Sequence, residues 1–488
     1  MGIVQSQSIK NTIITFFGFG IGAINALFLY TNFLGKMHYG LVAYVLSAAN
    51  ILMPLMAFGV HNTLIRFYAH CKDEKERGEF LTFMMVMPLA FIIPLIGAIF
   101  IFEQPISDFL AKENPMLRPF LWLIPAVGFC MGYFEIFYAW VKVHMQSVFG
   151  NFISEVVVRI TVMALLFAVF FGWISKNTFV YATALAYLLQ LLGMIAYAFH
   201  VKRPAFRFAI PHNIKSIFGY SMFIILSGSV AVMLLDFDKV MIPAYRNISD
   251  NALYSVAIFI ATVIAVPSRA MTQIIYPITA KLMAQGKHGE LNDLYKKSAI
   301  NLQVVGGLVM LYIFLNIKEM YFLIPKDYSG GIYVVFMIGL SKFYDVILGN
   351  NNAIIFNSKY YRSVLLFGLL LVFLMVVLNM IFIPMYGIEG AALATLLSVA
   401  VYNSIKLLFV VRNMDLYPFT NKTLQSLGII AVCFVVFYFW DFPFLPLLNI
   451  ALKSILITIF YVVANYKLVV SEELNAIVKT LLVKARLS

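Results

Sequence analysis

Fourteen long apolar runs, joined by connections of no more than about 18 residues, constrain this 488-residue chain more than any motif in it. They cover residues 9–34, 39–68, 80–102, 118–142, 150–174, 178–200, 216–240, 251–280, 297–317, 330–357, 362–384, 387–411, 422–440 and 446–468. A helix rises 1.5 Å per residue, so about 20 apolar residues cross roughly 30 Å of hydrocarbon. In hydrocarbon every backbone polar group needs an internal partner, which a helix supplies within its own segment. The balance of residues agrees: 62% are hydrophobic and 12% charged, against about 45–50% and 25% in soluble domains. The expectation is an all-α integral membrane protein of about fourteen transmembrane helices. The connections leave no room for a soluble catalytic or regulatory domain, and the longest (102–118, 200–216 and 280–297) are charged and read as surface-lying. The apolar stretch after Lys10 is too long for a signal-peptide core, and no small-residue cleavage site follows it, so no cleavable signal is expected. Cys71, Cys130 and Cys433 fall in a short loop or inside spans, which suggests neither a disulfide framework nor a zinc site.

A net charge of +13 raises the question of nucleic acid, and its placement answers it. With a cytoplasmic N-terminus, the cytoplasmic connections and span ends hold 23 of the 35 Lys and Arg residues, Lys142 and Lys406 among them. The opposite side holds 7, and the remaining 5 (Arg159, Lys239, Arg269, Lys342 and Lys453) lie within spans. That asymmetry follows the positive-inside rule, with both termini cytoplasmic as an even number of spans requires. The basic balance therefore reads as topology with some attraction to anionic lipid, and no nucleic-acid partner is expected. The tail VSEELNAIVKTLLVKARLS has apolar residues at helical spacing with basic residues between them, as in a short amphipathic helix at the cytoplasmic interface.

The chain also repeats itself at an offset of 215. Tyr39-Gly-Leu-Val-Ala-Tyr resembles Tyr254-Ser-Val-Ala-Ile-Phe, and Ser47, Arg66 and Lys72 fall opposite Thr262, Lys281 and Lys287. Each copy is a long span with a mid-helix proline (Pro54, Pro267) and a charged cytoplasmic loop after it. Six spans separate equivalent points, so the second unit keeps the orientation of the first, as in two-lobed transporters built from parallel repeats. The expected organisation is a six-helix lobe over 1–205, a pseudo-symmetric second lobe over 206–417, and two further helices with the tail over 418–488.

The twelfth run contains YGIEGAALAT, residues 386–395. It resembles the tyrosine-glycine, then glycine-alanine-alanine-x-alanine-threonine signature of bacterial polysaccharide-repeat flippases, the Wzx-type O-antigen and capsule transporters. That family shares a superfamily with the lipid II flippases and the multidrug and toxic compound extrusion antiporters. The glycine-rich first span ending in LGKMHYG agrees, as does LDFDK closing the seventh, and the resemblance extends over about residues 8–412. It implies two six-helix lobes opening alternately to either side of the membrane. Gly387, Gly390, Ala391, Ala392 and Ala394 need only be small to let helices approach closely, so the motif reads as packing and not as a ligand site.

Polar residues inside the spans are the candidates for substrate contact. Asn11, Thr15, Gly18, Gly22 and Asn25 share one face of the first helix, either as a tight packing seam or as a cavity wall for sugar hydroxyls. Arg269, in AVPSRAMTQIIYP, lies slightly to the cytoplasmic side of its span's middle. A charge there costs roughly 2.5–3.5 kcal/mol on insertion scales. Thr272, Gln273 and Tyr276 share its face, and a guanidinium binds phosphate oxygens through charge-assisted bonds. The alternative is a structural pair with Asp236 or Asp238. Arg66 is placed to meet a headgroup at the cytoplasmic end of the second span, or simply to set topology. Arg159 is a further candidate, although Glu155 four residues earlier is at ion-pair spacing. Asp236 and Lys239 are spaced to pair, which leaves Asp238 over, and Lys342 and Asp345 repeat that spacing ahead of Asn350, Asn351 and Asn352. Glu135, Asp236, Asp238 and Asp345 are the candidates for coupling to protons or sodium ions.

No GxxxxGK[ST] loop, HExxH or paired CxxC occurs, so neither direct use of ATP nor a metal site is expected, and no other cofactor. The resemblance implies a flippase, a reading that also gives the buried charges a role. It would carry undecaprenyl-pyrophosphate-linked oligosaccharide from the cytoplasmic to the outer leaflet of the bacterial inner membrane by alternating access around a cationic cavity. Its partners would be the lipid-linked substrate, membrane lipid and the polysaccharide polymerase machinery. The rivals are a drug or cation antiporter, which would favour aspartates and aromatics in the cavity, and a lipid II flippase, which the same cations would serve. A membrane polymerase or glycosyltransferase would show a large outer or acidic catalytic loop, and a scaffold would leave the buried charges without a role.

Overall fold

The computed structural model describes residues 3–204 and 207–486, and among these every regular element is helical. Each expected run coincides with a helix or a pair of helices. Twelve helical stretches among the described residues are long and apolar enough to cross a membrane; the first, Ile9–Tyr68, is 60 residues long and takes in two of the expected runs. The chain is a multi-pass membrane protein. By its contacts it divides into two compact units, residues 1–255 and 256–488.

The first unit begins with α1 (Ile3–Ile24), which continues through a π-helical stretch, Asn25–Leu34, into α2 (Gly35–Met56) and α3 (Val60–Tyr68). Pro54 removes a backbone donor from α2, and Gly59, at φ +62°, takes the left-handed turn that starts α3. Then come α4 (Glu74–Val86), α5 (Leu89–Ile101), α6 (Glu103–Leu110) and α7 (Leu123–Val143). Asp73 caps α4 by accepting the Glu76 N–H, and Pro88 separates α4 from α5. The short α8 (Val148–Phe152) runs through a π-helical turn, Ile153–Val157, into α9 (Val158–Phe170), followed by α10 (Lys176–Val201), α11 (Ile214–Tyr245) and the first half of α12 (Ile248–Thr262), within which the division falls. Gly128 and Gly132 let α7 pack on α2: a Cβ at Gly132 would lie 3.0 Å from the Ala57 nitrogen. Around that contact Met56, Leu64, Phe134, Trp140, Met194 and Ile217 form one buried cluster.

The second unit contains α13 (Val266–Ala284), α14 (His288–Leu315), α15 (Ile317–Phe322), α16 (Ile332–Ile347), α17 (Asn351–Asn357), α18 (Ser363–Tyr386) and α19 (Ile388–Met414). It ends with α20 (Asn421–Tyr438), α21 (Pro446–Lys467) and the tail helix α22 (Glu472–Arg486). A 3₁₀ stretch, Val263–Ala265, and Pro267 in the first turn of α13 break the eighth run. At the offset of 215 expected from the sequence, that break falls opposite residues 48–50, earlier than the α2–α3 break. Gly349, at φ +57°, divides α16 from α17; a Cβ there would meet the Ala299 nitrogen at 2.7 Å. In YGIEGAALAT, Gly387 turns the chain at φ +62°, and a Cβ at Gly390 would stand 2.0 Å from the Phe382 carbonyl oxygen. Ala391, Ala392 and Ala394 are fully buried. The motif lies where α18 turns into α19.

The compact division at 255/256 lies beyond α11, whereas the offset repeat suggests a boundary at 205/206. The reason is that α11 and the start of α12 pack on α2 and α3. Asn251 Nδ2 donates to the Gly40 carbonyl (3.1 Å), Ser47 Oγ to Asp236 Oδ1 (2.7 Å), and the Thr63 and Ser221 hydroxyls are 2.8 Å apart.

Candidate functional site

In the first unit, the polar stripe of α1 faces α8 and α9. Asn11 Nδ2 donates to Ser147 Oγ (2.9 Å), and Asn25 Nδ2 to the Arg159 carbonyl (2.9 Å). Asn151 Nδ2 returns a bond to the Asn11 carbonyl at 3.1 Å. Arg159 pairs with Glu155 at 2.7 Å, and its guanidinium occupies the space left by the two glycines. A Cβ at Gly18 would lie 2.8 Å from Arg159 Nη1, and one at Gly22 3.3 Å from Nε. The seam is thus built around an ion pair, and Asn25 is buried within it.

From that seam, charge extends across the inner helices of the unit. Tyr187 on α10 lies within electrostatic reach of both Arg159 and Asp236. Asp236 is buried and also accepts from Asn50 Nδ2 (3.2 Å) and Lys239 Nζ (3.4 Å). Asp238, which the spacing left over, is bonded by the Tyr254 hydroxyl. On α7, Glu135 is half-buried, with the charge of Lys142 nearby. Lys142 Nζ lies 3.6 Å from the centre of the Tyr138 ring, and its charge reaches His61 on α3. Arg66, at the end of α3, is exposed and stacks 4.2 Å over the Tyr220 ring of α11.

In the second unit, Arg269 lies in the first turn of α13, is exposed, and meets no carboxylate among the described residues. The carboxylates offered as its structural partners, Asp236 and Asp238, are bonded within the first unit. Thr272 and Tyr276 are also exposed, and the Gln273 side chain lies outside the described residues. Deeper in the unit, Asn403 Nδ2 donates to Asp345 Oδ1 at 3.4 Å. Lys406 Nζ donates to Asn352 Oδ1 at 2.9 Å and sits 4.2 Å over the Tyr402 ring. Lys406 is 2% exposed, which corrects its assignment to the basic cytoplasmic surface. The signal was in the period: Thr395, Val399, Asn403, Lys406 and Val410 mark the buried face of α19. No group of three or more His, Cys, Asp or Glu residues that could hold a metal occurs among the described residues.

The profile of the family described as polysaccharide biosynthesis protein matches residues 7–283, more than half of the sequence. The chain belongs to that family. YGIEGAALAT lies beyond the matched stretch, so the match rests on other residues than the motif. No curated protein sequence matches. Among solved structures, the lipid II flippase MurJ in an inward closed conformation is similar with a TM-score of 0.72 and 18% identity, over 94% of this chain and all of that one. An inward-facing multidrug resistance MATE transporter of the MOP superfamily gives 0.62 at 12% identity, over 82% of this chain and 97% of that one. A mutant of the Vibrio cholerae MATE transporter VcmN gives 0.54 at 12%, over 84% and 97%. At these identities the likeness is one of fold, and it is the fold implied by the sequence resemblance.

Proposed function

We propose that this member of the polysaccharide biosynthesis family is a flippase for undecaprenyl-pyrophosphate-linked oligosaccharide repeat units. It moves them from the cytoplasmic to the outer leaflet of the bacterial inner membrane for O-antigen, capsule or exopolysaccharide assembly, and hands them to polymerase machinery. The observation that carries the reading is Arg269: a cation in a membrane-crossing helix, exposed, with no carboxylate beside it among the described residues. Left in lipid it costs several kcal/mol; facing a wet cavity it presents a fork of donors to a pyrophosphate. Arg66, exposed at the cytoplasmic end of α3, is suited to meet the headgroup on entry. The moving bodies in this scheme are the repeat units 1–205 and 206–417, with 418–488 appended. Alternating access then requires α11 and the start of α12 to part from α2 and α3, breaking the Ser47–Asp236, Thr63–Ser221 and Asn251–Gly40 bonds. Proton or sodium coupling through Glu135, Asp236, Asp238 or Asp345 would drive that exchange.

Arg269→Ala, expressed in a strain lacking its own flippase, is expected to lose surface polysaccharide by about ten-fold or more, the value of one charge-assisted contact. Arg269→Lys should retain more. Normal polysaccharide at normal protein level in the alanine variant would sink the role of the arginine. Lipid II is a second candidate substrate, favoured by the likeness to MurJ over 94% of the chain. Growth of a lipid II flippase-depleted strain on this chain would select that reading.

A further inference from the structure

The last transmembrane helix, α21, buries a face of Asn449, Lys453, Ile457, Tyr461 and Asn465. Each polar member of that face has a partner inside the protein, and that of Lys453 is the most distant. Asn449 Nδ2 donates to Glu319 Oε1 (3.0 Å), the Tyr461 hydroxyl to the Val304 carbonyl (3.0 Å), and Asn465 Nδ2 to the Tyr461 carbonyl (2.8 Å). Lys453 is 1% exposed, yet among the described residues its ammonium has a single partner, Asp441 Oδ1 at 3.3 Å. Asp441 lies in the α20–α21 connection with a side chain 56% exposed. An ammonium has three donors, and a buried charge with one long, solvent-screened contact is poorly compensated.

The other donors of Lys453 have somewhere to point. It lines a cavity of about 350 Å³ at one end of the second unit, together with Lys318, Glu389, Asp441, Tyr333 and Tyr438. Two ammonium groups and two carboxylates make the lining electrically balanced, so it suits a ligand carrying both signs. Tyr333 and Tyr438 are exposed, as are the neighbouring Phe439 and Trp440. Tyrosine and tryptophan collect where hydrocarbon gives way to headgroups, which sets the level of this cavity in the bilayer.

We propose that this cavity binds the phosphoethanolamine headgroup of a phospholipid, its phosphate on Lys453 and Lys318 and its ammonium on Glu389 and Asp441. On the sidedness proposed above, the lipid belongs to the outer leaflet. Binding would clamp α20 and α21 to α14 and α16 independently of the transported substrate.

The test is native mass spectrometry of the full chain in detergent, titrated separately with phosphatidylethanolamine, phosphatidylglycerol and soluble O-phosphoethanolamine. The wild type should retain phosphatidylethanolamine over phosphatidylglycerol. Lys453→Met, which keeps length and removes charge, should weaken that binding about ten-fold, as loss of one charge-assisted hydrogen bond does. Lys326→Met, an exposed lysine outside the cavity lining, should change nothing. Glu389→Gln reads the other half of the site: it should narrow the preference for ethanolamine over glycerol even if Lys453→Met proves poorly folded. Equal retention of the two lipids by the wild type, or an undiminished preference in Glu389→Gln, would overturn the proposal. Capture of O-phosphoethanolamine with no lipid retained would overturn the lipid source and assign the site to a soluble phosphate.

Discussion

Lys281 and Lys406 are both basic residues in the C-terminal part of a helix, yet the first is exposed and the second is buried against Asn352 and the Tyr402 ring. Residue type alone does not separate them; position on the helical face does. Arg159 makes the same point with a different outcome. Its spacing to Glu155 was legible, and the glycines of α1 turn out to be the space the pair requires. Cys71 carries a prediction at this scale. Its loop position between α3 and α4 suggests an accessible thiol, but it is 8% exposed, and burial pushes the thiol up to about 11. Raising the pKa of an acid keeps the thiol protonated, so at neutral pH the reactive thiolate is about three-hundred-fold scarcer than for a free cysteine. In a Cys130→Ala, Cys433→Ala background, iodoacetamide alkylation of native protein should climb about ten-fold per pH unit to beyond pH 10. A plateau near the ordinary thiol value of about 8.5 would refute it.

The helices of this chain owe their existence to apolar length and their interruptions to a few residues. Pro54 with Gly59, Pro267 and Gly349 each stand at or beside a break that the apolar runs alone would cross, and Gly387 marks the turn between two of those runs. Helix-to-helix approach is set by glycines of a different kind, and the two kinds look alike in sequence. Gly390 has the Phe382 carbonyl 2.0 Å from where its Cβ would be, while Gly20, also in mid-helix, has nothing within 4 Å. Gly390→Ala is therefore expected to destabilise by about 1–3 kcal/mol through overpacking. Gly20→Ala should be neutral or stabilise by up to about 1 kcal/mol, because a helix favours alanine over glycine. Thermal unfolding of the two detergent-solubilised variants would compare them directly. Equal midpoints would refute the assignment of Gly390 to close packing.

For the whole molecule, the apolar runs and the bias of basic residues address different questions, span count and sidedness. Sidedness is checked by labelling. Lys287 and Lys326 are both exposed, and the charge bias assigns them to opposite sides of the membrane. In intact cells a membrane-impermeant thiol reagent should reach Lys326→Cys and not Lys287→Cys, with the order reversed in inside-out vesicles. Labelling of both from one side would overturn the topology. The native cysteines interfere little, since all three are buried. Domain organisation was harder to read. The offset of 215 suggests a boundary near residue 205, but compactness follows contacts, and the polar bonds from α11 to α2 and α3 carry the division on to residue 255.

By itself the sequence determined the class of fold, the placement of nearly every helix and the family. Hydrocarbon permits few alternatives, so apolar length dictates a span. Only the tertiary structure decided which polar residues inside the spans already have partners. Asn11, Asn25, Arg159 and Asp236 have partners within the first unit, while Arg269 is exposed with no carboxylate beside it among the described residues and Lys453 faces a cavity with a single carboxylate contact. The cost of a charge in a membrane depends on what stands within a few ångströms of it. That neighbour usually comes from another helix, at a distance along the chain that no local pattern encodes.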